Sequence, residues 1–158
     1  AQGMQPIASR SYGSGDTENT GKIFRYAVIT LLGTAAVIYG IVFLFASPIT
    51  SVFNSENDMQ LQKIAEEGLK LYFLAVPFVG FNIVSAMFFT STERALPAQM
   101  ISVLRGLVVI IPAAFILSAM FEMQGVWLSY PVTEGIVTIF AVCVLLKSAG
   151  RKPGTEKA

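Results

Sequence analysis

Ala27–Ala46 reads AVITLLGTAAVIYGIVFLFA, about 20 residues without a formal charge, enough to cross a ~30 Å hydrocarbon core. Leu71–Thr90, LYFLAVPFVGFNIVSAMFFT, repeats the pattern. Met100–Phe121 and Gly125–Leu146 are comparable in length, but each carries one ionisable residue, Arg105 and Glu134. Helices of a soluble domain keep a polar face, and these runs have almost none. The expected fold is an all-α integral membrane bundle. It has four complete transmembrane helices, at about 27–46, 69–91, 98–121 and 125–146, preceded by the end of another helix over 2–12.

Hydrophobic residues make up 54% of the chain and charged ones 13%, far from soluble averages. The formal net charge is +1 and the basic residues sit in connectors and tail, which argues against nucleic-acid binding. With no histidine and one cysteine, Cys143 in the last apolar run, a disulfide framework and a Cys/His metal site are excluded. Cys143 reads as a small residue facing lipid or a helix. No Ser–His, metal or phosphate-loop arrangement is present, so catalysis has no candidate residues and no enzyme is expected.

Between the runs the connectors are short. Ala1-Gln2-Gly3-Met4-Gln5-Pro6 has neither the basic nor the apolar region of a signal peptide and reads as a helix cut through, so the chain is expected to be a fragment of a longer protein. The turn Gly13-Ser14-Gly15-Asp16 closes that remnant. Thr17–Tyr26 is expected to be a polar connector, and Ser47-Pro48 to end the first span. Val52–Lys70, with Glu56, Asp58, Glu66 and Glu67, is expected to form in part an interfacial helix. Glu93-Arg94-Ala95-Leu96-Pro97 separates the second span from the third, and Glu122-Met123-Gln124 joins the last two as an antiparallel hairpin. Residues 148–158 form a basic tail expected to be disordered. Alternate connectors divide the Lys and Arg residues eight against two, leaving Arg105 aside, so the tail and the Gly13 turn should be cytoplasmic.

Pro77, Pro112 and Pro131 interrupt the apolar runs and are hinge candidates, since each removes a backbone donor. The other reading of each is a packing kink compensated by neighbouring helices. Gly33, Ala36, Gly40 and Gly80 would allow close helix approach. Arg105 reads as an anchor at the cytoplasmic end of its span or as a gating or substrate contact. Glu134, near the midplane, must be neutral, paired or facing water, and is either a structural donor or a cation or proton site. Counting outward to the Glu122–Gln124 link sets Arg105 about 10 Å deeper than Glu134, so no direct salt bridge is expected between them. Asn82 needs an interhelical partner or an aqueous cavity, with Phe78, Phe81 and Met87 as possible lining. Gln5, in the cut helix, would stand on the path of anything crossing the protein.

The stretch Gly3-Met4-Gln5-Pro6, with Ser9 and Tyr12-Gly13-Ser14-Gly15-Asp16, resembles the helix-to-turn motif in the second half of multidrug and toxic compound extrusion (MATE) transporters. Ala95-Leu96-Pro97-Ala98, Leu104-Arg105, Ile111-Pro112 and Gly125-Val126-Trp127-Leu128-Ser129-Tyr130-Pro131 resemble that family's last two helices. The resemblance implies a twelve-helix, two-lobe transporter of the inner membrane, with this chain running from the end of the eighth helix through the twelfth and its C-terminus cytoplasmic. It implies a secondary antiporter with no cofactor, exporting organic cations and other amphipathic drugs against sodium ion or proton entry, and an N-terminal lobe of the same polypeptide as partner. The corresponding tenth helix, Leu71–Thr90, has no acid, so the family's coupling carboxylates cannot be carried over and Glu134 stands on its own chemistry. The alternatives are a lipid-linked saccharide flippase of the same superfamily, which would need cavity cations, and a small non-transporting membrane subunit.

Overall fold

The computed structural model describes residues 1–54 and 58–149, and within them the chain is helical throughout. Helix α1 (Met4–Gly13) turns into α2 (Thr17–Leu44) through Gly15, whose φ of +78° suits a residue without Cβ. Asp16 caps α2, its side chain accepting from the Asn19 N–H at 2.9 Å. Thr17–Tyr26 is therefore the opening of a helix and not a connector. The cap supplies what the polar composition lacks, and Lys22 pairs with Glu18 one turn before it at 2.7 Å.

Pro48 does not end the first span. The break falls earlier, at Phe45, and Pro48 sits in the first turn of α3 (Ala46–Phe53), where its missing N–H is no loss. Helix α4 (Met59–Phe73) folds back on α3, with Gln62 Nε2 donating to Thr50 Oγ1 at 2.7 Å and to the Ser47 carbonyl at 3.0 Å. Glu56 and the tail from residue 150 lie outside the described residues. Helix α4 runs on, after a break at Leu74–Ala75, into α5 (Val76–Ser91). Pro77 therefore stands at the start of a helix and not inside one.

Glu93, at φ 58°, makes the turn into α6 (Ala95–Val103). A π-turn, Leu104–Val108, joins α6 to α7 (Ile110–Ala149), which bends at Glu122 (φ 51°, ψ −127°) into two arms, 110–121 and 123–149. Gly125 lies on the backbone of Leu117, and a Cβ there would fall on the Leu117 carbonyl. The arms are antiparallel, as expected, and the bend falls at Glu122, the first residue of the expected Glu122–Gln124 link, with the close approach of Gly125 to Leu117 making it tight.

Thr17–Leu44, Met59–Ser91 and Ala95–Ser148 are long and apolar enough to cross a membrane, the last of them doubled back on itself at Glu122. The packing is concentrated in two clusters. Phe89, Ala98, Ile101, Val137 and Ala141 join α5, α6 and the second arm of α7, while Met4, Ala8 and Val84 join α1 to α5 beneath Phe24 and Phe88. Leu44, Phe53 and Phe115 are among many large apolar side chains left exposed, the surface of a chain that faces lipid or further protein. Of the small residues, Gly80 packs against Leu31, whereas Gly33 and Gly40 meet nothing within the described chain.

Candidate functional site

One polar cluster stands inside this apolar bundle. Glu134, on the second arm of α7, is 1% exposed, and Arg105 reaches it from the π-turn. Arg105 Nη2 lies 2.9 Å and Nε 3.1 Å from Glu134 Oε1. The other oxygen, Oε2, accepts from Asn82 Nδ2 of α5 at 2.7 Å. The same Asn82 amide donates to the Glu134 backbone carbonyl at 3.0 Å. Thr138, one turn beyond Glu134, completes the group, its hydroxyl 3.2 Å from Asn82 Oδ1 and 2.8 Å from the Glu134 carbonyl. Both carboxylate oxygens have donors, the condition under which a buried charge is tolerable.

The ion pair corrects the expectation that Arg105 and Glu134 are out of reach of one another. Contact between Leu117 and Gly125 sets the level of the hairpin. Arg105 is twelve residues before Leu117 and Glu134 nine after Gly125, a difference of about 4.5 Å of helix rise, within the span of an arginine side chain. Ile101, one turn before Arg105, packs with Val137 and Ala141 in the same antiparallel register. Glu134 is therefore an ion-pair acceptor, neither a bare carboxylate nor an isolated donor.

Asn82 is 0% exposed and finds its interhelical partner in Glu134 rather than an aqueous cavity. Gln5 is elsewhere: its carbonyl lies 3.5 Å from Ser91 Oγ at the far end of α5, more than two turns from Asn82. Of the hinge candidates, Pro77 falls in the first turn of α5 and Pro112 just beyond the π-turn at the start of α7, while Pro131 is enclosed within α7. Its ring leaves the Trp127 carbonyl without the usual donor. Thr138 and the π-turn escaped the sequence reading. Thr138 was findable as the residue four after Glu134, on the same helix face. Among the described residues no three His, Cys, Asp or Glu side chains cluster as a metal site would require.

Beside the cluster, an open groove of about 300 Å³ runs between α2, the α4–α5 junction and Tyr130. Tyr72 and Tyr130 stack in it with centroids 4.7 Å apart and planes 9° apart, and Thr34, Ile38 and Val79 line it further on. Tyr130 is one turn before Glu134, so the groove and the ion pair share a helix face.

No curated protein and no solved structure matches the chain. The sequence profile of the MatE family matches residues 1–116, which include Gln5, Asn82, Arg105 and the π-turn and stop before Glu134. With a multi-pass apolar bundle and a match over most of its length, the chain belongs to the MatE family, whose members are membrane transporters and not enzymes.

Proposed function

We propose that the chain is the C-terminal part of a cation-coupled antiporter that exports drugs and toxic organic compounds by alternating access, with sodium ions or protons moving the other way. The family match carries this reading. In the proposal a twelve-helix protein of the inner membrane supplies the first lobe, the C-terminus is cytoplasmic, and no cofactor takes part. Repeat-built transporters of this kind rock one half against the other around a site near the midplane. The groove beside Tyr72 and Tyr130 is apolar with two aromatic faces, a lining that suits flat amphipathic molecules better than sugars.

A lipid-linked saccharide flippase needs free cations to meet a phosphate. Arg105 is the cation within the apolar span of the last hairpin, and it is already neutralised by Glu134. That favours drug export.

The test is accumulation of a fluorescent organic cation by drug-hypersensitive cells expressing the full-length protein, with the proton and sodium gradients collapsed in turn. Lower accumulation that is lost when one gradient is removed is the expected result and names the coupling ion. Accumulation equal to that of empty cells under all conditions would sink the proposal.

A further inference from the structure

The Arg105–Glu134 pair is built on an irregular piece of helix. Over Leu104–Val108 the chain forms a π-turn, closed by the Val109 N–H donating to the Leu104 carbonyl at 2.9 Å, five residues back instead of four. Its effect on packing is specific. Leu104 and Val109 both lie against the cluster around Ile101 and Val137. In a regular α-helix, residues five apart point about 140° away from each other. The π-turn holds one residue more than an α-turn would need, and that residue keeps Val109 on the core face.

Two neighbours make this extra residue labile. Pro112 has no N–H to give the Val108 carbonyl, so the helix just beyond the π-turn lacks one of its restoring hydrogen bonds. Gly106, in the middle of it, has nothing within 4 Å of where a Cβ would stand, so no side chain clamps the turn in place. Arg105 sits inside it with 22% of its side chain exposed, whereas Glu134 is buried and tied to Asn82 through both its carboxylate and its backbone. One partner of the ion pair is fixed and the other rides on the irregular segment.

We propose that Leu104–Val108 is a one-residue slip joint that makes and breaks the Arg105–Glu134 pair. When the π-turn is drawn out into ordinary α-helix, one flank advances past the other by a single residue, about 1.5 Å along the axis and about 100° around it. The Val109 side is held by the hairpin at Glu122, so α6 and Arg105 turn, and the guanidinium leaves Glu134. Glu134 stays on Asn82. Isolated π-turns within α-helices recur where a helix has a mechanical or functional task.

The slip serves the transport proposed above, yet its movement is readable with no substrate present, so its failure is separable from failure of drug export. Leu96 and Met123 are exposed, at 73% and 56%, and lie about 40 Å apart by helix rise, one on the flank that turns and one on the flank that does not. Spin labels at Leu96→Cys and Met123→Cys, in full-length protein freed of other cysteines (Cys143→Ser in this part) and reconstituted in lipid, report their separation by electron–electron resonance. Two distance populations several ångströms apart are expected, with their ratio changing under a sodium or proton gradient. Deleting Gly106 removes the extra residue and leaves Leu104 and Val109 on their present face. The deleted protein is expected to accumulate normally and to show one population, that of the paired state. A single unchanging distance in the undeleted protein would overturn the slip. So would two populations in the deleted one. A deletion that prevents accumulation overturns it as well, because an extra residue that the helix can lose is its premise.

Discussion

Removing either end of the ion pair should be costly, and the two ends should differ. Arg105→Gln strands a carboxylate that is 1% exposed, with Asn82 as its remaining side-chain donor. Glu134→Gln leaves an acceptor oxygen for Asn82 and strands a guanidinium that is 22% exposed and can turn toward the interface. Breaking a buried pair from one side costs about 3–5 kcal/mol in soluble proteins. Arg105→Gln belongs at the upper end of that range, and Glu134→Gln at or just below about 3 kcal/mol, since its stranded partner keeps some solvation. Even the smaller figure is about a hundredfold in a folding equilibrium. The double variant, Arg105→Gln with Glu134→Gln, holds two neutral amides within hydrogen-bond reach and should lose less than the worse single change. The assay is the heat-resistant fraction of full-length protein in detergent for all four corners of the cycle. A double variant that loses the sum of the two single losses, within about 0.5 kcal/mol, would show that the two side chains do not interact and would refute the pairing.

Asn82→Ala removes donors from Glu134 Oε2 and from its backbone carbonyl and should cost about 1–3 kcal/mol, while Asn82→Asp, which sets a second carboxylate against the first, should cost more; the same heat-resistance assay ranks them. Gly125→Ala places a Cβ on the Leu117 carbonyl, backbone against side chain with nothing flexible to yield, and should lower accumulated protein more than Gly33→Ala, which meets open space. Pro131→Ala restores a donor to the Trp127 carbonyl, so it should leave insertion intact and slow export if the kink moves during transport; equal losses of protein and of export would point to folding instead. A cysteine near Gly154 in a protein lacking Cys143 should react with an impermeant thiol reagent only in opened cells, and labelling of intact cells would reverse the assigned orientation.

What could be read from the sequence followed from hydrophobic length. The apolar runs needed only composition, because the bilayer dictates how long such a segment must be. Where the reading failed, local chemistry was stronger than composition. Thr17–Tyr26 is polar yet helical because Asp16 caps it, a signal present in the sequence and outweighed by the charges of Lys22 and Arg25. By composition Pro48 reads as a stop, but the first turn of a helix tolerates proline, and α3 begins two residues before it. The ion pair was missed through one length, that of the hairpin turn. Glu122–Gln124 reads as the link, but residues 118–121 look like an ordinary continuation of the third span, and nothing local says that Gly125 lies back on Leu117. The π-turn leaves even less trace. A helix apolar on every side has no stripe to reveal that its register slips by a residue between Leu104 and Val109.

The cluster also changes what Glu134 can do for transport. A carboxylate near the midplane invites the role of coupling site, since it could hold a sodium ion or a proton. Here both its oxygens are occupied, one by Arg105 and one by Asn82, so an incoming cation meets a site already neutralised. The guanidinium stands where a coupling cation would stand, tethered to the chain. In the proposed antiporter, a coupling cation at Glu134 would have to displace Arg105 from Oε1, because two cations at contact distance repel each other in a medium of low dielectric. Under that proposal, binding of a cation and withdrawal of Arg105 would be one event seen from two sides, each favouring the other by the same free energy. It follows that Glu134→Gln, which holds neither a coupling ion nor Arg105, should uncouple the distance change between α6 and the hairpin from the ion gradient without abolishing the change itself. A variant in which the gradient still shifts the Leu96–Met123 distances would place the ion at another carboxylate and leave Glu134 as a fastening between α5 and the last hairpin.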